Sequence, residues 1–353
     1  MNALSLFSSA GIGEFYLKNV GIDVVLAVEI VSSRAKAHQF LYPSCEVITA
    51  DITDENVQKL LIEKSKEKEI NLIIATPPCQ GLSTAGNNKT EESLYRDPRN
   101  YLILSALKIV SELKPDYFII ENVPRFKQMK YTDGEEFLSL HELLNKKYSN
   151  EYEIACDILN AADYEVPQTR LRVVYRMWKK GMNWHLPRKS SRIISVEEAI
   201  AELPSLEAGE DSGIKNHVAR KHPNNHIECM RYTPTGKSAF ANTVHYPKKE
   251  DGTKIKGYPN SYKRIRWDIP APTVTMRNEI ISSQENVHPG RELGDGKWSD
   301  ARVLTLRELL IISSLPPDLD KPTNLTDTAF RQLIGEGIPP KMMEEIMKGI
   351  DTK

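Results

Sequence analysis

Ile70-Asn71-Leu72-Ile73-Ile74 runs directly into Ala75-Thr76-Pro77-Pro78-Cys79-Gln80-Gly81-Leu82-Ser83. A short continuous apolar run of this kind predicts a fully buried strand of a parallel sheet, and the two prolines end it abruptly. Cys79 then stands at the strand's carboxyl end, the edge on which open α/β sheets hold their ligands. Prolines on one side and Gly81 on the other make the backbone stiff and then permissive around the thiol. A free cysteine is most often a small buried hydrophobe. On a rim, followed by a small polar loop, the sulfur can instead serve as a nucleophile once a charged neighbour lowers its pKa.

The same pattern repeats on either side. Strands are predicted over residues 2–7, 24–29, 46–49, 116–120, 151–158 and 173–178, and helices over 14–20, 32–41, 54–68, 98–113 and 134–148. Strands alternating with helices predict a doubly wound parallel sheet of the α/β class. The first strand leads into Ser8-Ser9-Ala10-Gly11-Ile12-Gly13-Glu14, a small-residue turn that lets a ligand approach the backbone at a helix start. The second ends in Glu29, about where nucleotide-binding folds place the acid that holds a ribose, although a plain surface Glu would read the same way. Asp51-Ile52 is a further acidic strand end. The strand before Glu121-Asn122-Val123-Pro124 is the second to run apolar and end polar, so Glu121 is placed near Cys79 as an acid or as a hold on a donor group. Alternation in an extended chain would turn Arg170 and Arg172 to one face. The polar residues 84–93 read either as a surface loop or as a lid leaving the nucleophile.

The chain has 353 residues, about 40% apolar, and a net charge of -1. That length allows one large α/β domain and a second module. The charge is uneven: between Ser212 and Arg266 stand Lys215, Arg220, Lys221, Arg231, Lys237, Lys248, Lys249, Lys254, Lys256, Lys263, Arg264 and Arg266, against Glu228, Glu250 and Asp251. A basic block confined to one segment is either solvated surface or a footprint for phosphates. The four cysteines lie far apart, which suggests neither a disulfide framework nor a metal site and fits a reducing cytosol. No signal-like start and no membrane-length apolar stretch is read, so the expectation is a cytoplasmic protein without membrane partners. From residue 180 to about 262 the strand–helix rhythm gives way to Pro, Gly, Asn, His and basic residues, with one short helix at 196–203. Helices return at 305–315 and 341–350. The expected division is a catalytic domain over 1–180, a small irregular recognition domain over 181–300, and a segment 301–353 that completes the first domain.

Pro78-Cys79-Gln80, Glu121-Asn122-Val123 and Gln168-Thr169-Arg170-Leu171-Arg172, in this order, resemble the motifs of the cytosine-5 DNA methyltransferases of bacterial restriction-modification systems. Asp97-Pro98-Arg99, Ala271-Pro272-Thr273, residues 302–308 and the closing residues 335–340 support the likeness, which spans nearly all of the chain outside the basic module. The resemblance implies a Rossmann-like class I methyltransferase sheet with a smaller target-recognition domain. It implies S-adenosylmethionine as donor and S-adenosylhomocysteine as product, without a metal. Phe7, Gly11, Glu29, Asp51, Ile52, Pro78 and Leu102 would bind the donor, Glu29 at the ribose and Asp51 at the adenine amino group. Cys79 would attack cytosine C6, Glu121 would hold N3 and the amino group, and Arg172 would bind O2, with Arg170, counted in the catalytic set, and Gln168 bracing the loop. Gln80, Ser83, Asn122, Gln168, Arg231, Lys237 and Arg264 are the expected contacts to substrate and DNA. The target cytosine must be flipped out of its duplex.

The chain departs from the family pattern at Ser5, Ser9, Glu14, Glu165 and Glu336. A nicotinamide-dependent oxidoreductase would want a complete Gly-x-Gly-x-x-Gly turn, which residues 8–14 do not supply. The tRNA-modifying branch of the family shares the catalytic motifs, and a regulator built on an inactive methyltransferase is the non-enzymatic alternative. The basic module favours double-stranded DNA. A monomer is expected, with a restriction endonuclease as functional partner.

Overall fold

The computed structural model describes residues 1–78, 95–249 and 251–351. The chain forms two compact units, one of residues 1–160, 171–188 and 343–353, the other of residues 161–170 and 189–342.

In the first unit, strands β1 (Asn2–Leu6), β2 (Asp23–Glu29), β3 (Glu46–Thr49), β4 (Ile70–Ala75) and β5 (Tyr117–Asn122) pair in parallel. Helices α1 (Ser32–Leu41), α2 (Glu55–Glu67) and α3 (Ile103–Leu113) connect them. A small hairpin, β6 (Lys130–Asp133) with β7 (Glu136–Ser139), and helix α4 (Leu140–Tyr148) lead to β8 (Tyr152–Asn160) and β9 (Leu171–Lys179). The sheet order is β3-β2-β1-β4-β5-β9-β8, with β9 antiparallel to both of its neighbours. The apolar runs read as buried strands are so: all of Ile73, Ile74, Ala75, Phe118, Ile119 and Ile120 are inaccessible or nearly so.

Two expectations change. Residues 14–20 form only short 3-10 turns, Ile12–Glu14 and Leu17–Val20. The helix expected over 134–148 begins at Leu140, because Ser139 and Glu142 form a reciprocal capping box that sets its first turn, while the residues before it pair as the hairpin. No helix among the described residues is long and apolar enough to cross a membrane.

The second unit has little regular structure: α5 (Val196–Ile200), α6 (Asn224–Arg231), a short ribbon of β10 (Glu292–Gly294) and β11 (Lys297–Trp298), α7 (Leu306–Ile312), α8 (Asp327–Glu336) and the start of α9 (Pro340–Met347). Residues 301–342 thus pack with the second unit, and only 343–353 with the first. A small apolar cluster of Cys229, Met230, Ala239, Tyr262, Ile281, Val287, Ala301 and Val303 lies within it.

Irregular chain buried around such a core leaves carbonyls that no ladder satisfies. Buried arginines meet that need. Arg264 is fully buried and donates to the carbonyls of His288 (2.7 Å), Asp300 (3.1 Å), Met230 (2.9 Å) and Ser299 (2.8 Å). Arg302, equally buried, donates to Leu206 O at 2.7 Å and pairs with Asp300 (2.7 Å) and Glu308 (2.8 Å). Arg331 donates to Leu304 O at 2.9 Å. Burial alone would raise the Glu308 carboxyl, but Arg302 and His288 outweigh it and hold it at about 2. The expectation that Arg264 contacts DNA is therefore corrected: its guanidinium is committed inside the unit, where no phosphate or base edge can reach it.

This interior sets two expected outcomes. Arg264→Met leaves four carbonyls short of a donor and should cost on the order of 3 kcal/mol or more, read as a lower urea midpoint, whereas the exposed Lys237→Ala should change stability by less than about 0.5 kcal/mol. Burial, followed by the charge of Arg220, pushes His222 down to about 4, and burial with Arg302 does the same to His288. The unfolded chain takes up these protons near the ordinary histidine value of about 6.5, and the folded chain resists until about 4. Stability is then complete above pH 6.5 and falls as pH drops from there towards 4. Thermal unfolding across that window should show the fall, and the His222→Gln, His288→Asn double variant should flatten it.

Candidate active site

Parallel register brings the strand ends of the first unit to one edge. Leu6 lies opposite both Val28 and Ala75, Ala75 opposite Ile120, and Glu29 opposite Thr49. Phe7, Glu29, Asp51, Pro78 and Glu121 therefore leave the sheet side by side.

The turn after β1 is built from left-handed residues, Phe7 (φ 60°), Ser9 (φ 49°) and Gly11 (φ 70°). Such a conformation suits glycine, which accounts for the glycine that the family pattern has where Ser9 stands. Glu29 holds this turn. Its buried carboxylate accepts the backbone N–H of Ser9 at 2.9 Å and of Val31 at 2.8 Å, one on each oxygen. A carboxylate has about four acceptor sites, so capacity remains for hydroxyl donors at the edge. Behind the turn, Tyr42 donates its hydroxyl to Gly11 O at 2.5 Å. A Cβ at Gly11 would lie 2.6 Å from the Tyr42 ring and 2.9 Å from His38, so only glycine fits. The departures at Ser5 and Glu14 belong together: buried Glu14 accepts from Ser5 Oγ at 2.5 Å and lies 3.0 Å from His38 Nε2. Burial, with the Glu14 charge next, pushes the Tyr42 hydroxyl well above its ordinary value.

Further along the edge, Asp51 is exposed, with Oδ1 accepting from the backbone and hydroxyl of Thr53, both at 2.8 Å. Ile52 is buried beside it. Leu102 closes the 3-10 turn Pro98–Tyr101, which Asp97 caps through Arg99 N at 3.0 Å.

Cys79, Gln80 and Ser83 lie outside the described residues. The backbone that enters them is fixed from both sides. Asn122, buried at the end of β5, donates Nδ2 to Pro77 O at 2.9 Å, and Thr76 donates Oγ1 to Phe7 O at 3.2 Å. Asn122, expected as a substrate contact, thus braces the turn before Cys79. Next to it Glu121 and Arg172, both buried, form an ion pair at 2.6 Å across the antiparallel β5–β9 pairing. Arg172 also donates to Leu171 O at 2.8 Å.

The convergence expected of Arg170 and Arg172 is not found. β9 begins at Leu171, so the alternation does not extend back to Arg170. Arg170 is buried in the second unit and donates to Val274 O (2.8 Å), Gly335 O (2.9 Å) and Glu336 O (2.9 Å), a bracing place rather than one facing a substrate. Gln168 is buried there too, accepting from Val274 N at 3.1 Å and donating to Ile312 O at 3.4 Å. Gly335 is required by contact, since a Cβ would meet Thr275 O at 2.2 Å. Glu165, at the position where glycine is usual, has φ 56°, and its carboxylate takes Ser190 (3.0 Å) and Lys341 (3.1 Å). Arg231 is partly exposed at 3.9 Å from Glu207 and Glu228, and Lys237 is exposed.

Three cysteines are described, and burial raises the pKa of each: Cys45 to about 12, Cys156 and Cys229 upward. None of them is suited to be a thiolate. Sequence reasoning misses the roles of Tyr42, His38 and Glu14, because no spacing rule links a turn to a side chain some thirty residues on; the only signal is Glu14 itself, an acid out of pattern.

The C-5 cytosine-specific DNA methylase family matches the chain over residues 1–352. The chain is 47% identical to the type II methyltransferase M1.HgaI of Avibacterium volantium, covering 98% of this chain and 97% of that one. It is 30% identical to the type II methyltransferase M1.HphI of Haemophilus parahaemolyticus, covering 98% and 86%. In fold it is similar to the crystal structure of a protein encoded within an E. coli prophage, with a TM-score of 0.70 at 20% identity over 99% of this chain and 98% of the other. A family match over essentially the whole length, on a sheet whose strand ends carry Glu29, Glu121 and the approach to Cys79, establishes that the chain belongs to the C-5 cytosine-specific DNA methylases.

Proposed function

We propose that this DNA (cytosine-5-)-methyltransferase uses S-adenosylmethionine and a covalent Cys79 adduct to methylate one cytosine of a short duplex sequence. The observation that carries the reading is the buried Glu121–Arg172 pair beside Asn122, whose amide holds the backbone two residues before Cys79. Cytosine C5 is a poor nucleophile. Addition of the Cys79 thiolate to C6, with a proton held at N3 by Glu121, turns C5 into an enamine carbon. Bound S-adenosylmethionine would supply the electrophilic methyl group that this carbon takes, leaving S-adenosylhomocysteine. Loss of the C5 proton to a base then re-forms the ring double bond and expels the thiolate. Arg172 would hold the base's O2, and its ion pair keeps the Glu121 carboxyl in position. Arg170 and Gln168 act as braces within the second unit.

The edge at Phe7, Gly11, Glu29, Asp51, Ile52, Pro78 and Leu102 fits the donor. Glu29 has acceptor capacity left for ribose hydroxyls, and the Gly11 turn admits close approach of a ligand. Asp51, exposed and with one oxygen engaged by Thr53, suits an amino group. No metal is needed for this chemistry. The second unit, with Arg231 and Lys237 on its surface, is read as the part that selects the DNA sequence, and Gln80 and Ser83 as contacts to the flipped base and its strand. The names of the relatives at 47% and 30% identity support a place in a type II restriction-modification system. The reading also takes a restriction endonuclease as functional partner and the enzyme as a cytoplasmic monomer.

Transfer of labelled methyl groups to mixed-sequence duplex DNA, run beside tRNA, tests the reading. Wild type should label DNA at one recurring site located by bisulfite sequencing, Cys79→Ala should label nothing, and Glu121→Gln should lower kcat by about 100-fold or more. Label in tRNA alone would overturn the substrate. Tyr42→Phe removes one hydrogen bond to the turn and no ring packing. It should raise the KM for S-adenosylmethionine by about fivefold, the worth of roughly 1 kcal/mol, and leave kcat nearly unchanged.

A further inference from the structure

Residues 247–249 and 251–255 of the second unit run antiparallel to each other as a short ribbon. Lys249 N donates to Thr253 O at 2.9 Å and Ile255 N to Pro247 O at 3.0 Å, so that Lys248 and Lys254 face each other as a bridged pair. In this antiparallel pattern the pair is of the close, non-hydrogen-bonded kind, where like charges destabilise the ribbon. The ribbon's base is nevertheless firm. Pro247 is buried, Lys254 turns its ammonium to Phe240 O at 2.7 Å and lies 5.0 Å from the centre of the Tyr246 ring, and Asn242 donates to His245 O at 2.7 Å. Phe240 in turn packs on Tyr262 of the unit's apolar cluster.

The outer part is different. Lys248, Lys249 and Lys256 are exposed and have no ion pair among the described residues, whereas Lys189, Lys215, Lys263 and Lys341 of the same unit pair with Asp163, Asp320, Glu285 and Glu165. The one described acid at the tip, Asp251, is occupied by Thr253, whose backbone and hydroxyl lie at 2.9 and 2.6 Å; Glu250 lies outside the described residues. Val244 and Tyr258, flanking the ribbon, are 71% and 56% exposed.

We infer that this ribbon is a finger that docks on the DNA duplex, with Lys248, Lys249 and Lys256 against phosphates. The inference rests on the proposed duplex substrate. A two-stranded ribbon is one of the two protein shapes that the major groove admits, and exposed lysines along it supply the counterion release that dominates such binding. The repulsion built into the bridged lysine pair is then relieved by the polyanion, as expected of a local rule broken at a functional place.

The test compares full-length wild type, the Lys248→Ala, Lys249→Ala, Lys256→Ala triple variant, the corresponding triple Arg variant, and a control with Lys59, Lys66 and Lys108 of α2 and α3 changed to Ala. Binding to a labelled mixed-sequence duplex is followed by anisotropy over a salt series. The Ala triple should bind at least tenfold more weakly at low salt. Its slope of log K against log salt should be shallower by about 2 to 3, near 0.9 for each phosphate that the variant no longer neutralises. The Arg triple and the control should match wild type, and all four proteins should bind S-adenosylhomocysteine and melt alike. An Ala triple with the wild-type slope and affinity would overturn the inference while leaving the proposed function standing. A wild type that binds tRNA and not duplex DNA would overturn both.

Discussion

Parallel pairing constrains everything at the candidate site. Strands that run the same way must all end on the same side, and the pairings of Leu6 with Val28 and Ala75, and of Ala75 with Ile120, hold those ends level. The sheet order reverses between β1 and β4, so the chain leaves β1 towards one half of the sheet and β4 towards the other. A crevice at that point needs no further device to gather residues. What the sequence adds is the tying of one strand end to the next: Glu29 to the turn after β1, Thr76 to Phe7, Asn122 to Pro77. Each tie commits a polar side chain to a neighbour's backbone, which makes loops beyond a rigid sheet behave as parts of it.

The second unit solves the same problem without a sheet. Its carbonyls are met by guanidinium groups, each with five donors on a planar fork, and a single Arg264 serves four carbonyls. This allows a chain of turns to be buried and still satisfied. It also concentrates charge in the interior, so Asp300 and Glu308 accompany Arg302, and the histidines beside them are kept neutral by burial and by the arginines. Such an interior depends on complete pairing in a way that an apolar core does not.

The fold is legible in sequence because buried parallel strands are near-continuous apolar runs, and such runs are local. Strand β3 and helix α1 come out with the bounds expected of them, 46–49 and 32–41. Expectation and structure part where a local pattern has two readings. Residues 134–148 carry a helical charge pattern, yet the cap at Ser139 starts the helix late. Arg170 and Arg172 look equivalent two residues apart, but the strand begins between them, so Arg172 serves the Glu121 carboxylate and Arg170 a set of carbonyls. Arg264 sits in the most basic segment of the chain, and nothing in its neighbours distinguishes an arginine that carries a phosphate from one that carries a fold. Positive charge in sequence is ambiguous until burial is known.

That ambiguity runs through the site as well. Three of the four cysteines are held as thiols by burial, which removes water that a thiolate would need and outweighs the charges of Lys68, Lys127 and Lys248 that act on Cys45, Cys156 and Cys229 in the other direction. The fourth, Cys79, follows two prolines in sequence after a strand end where the Arg172–Glu121 pair lies beside Asn122, whose amide donates to Pro77 O. On the proposed reading, the difference between an inert and a reactive cysteine is set by where the strand stops. In Ile70–Ala75 the apolar run ends at the sheet edge, and Pro77 and Pro78 take the chain out of the packed strand within three residues.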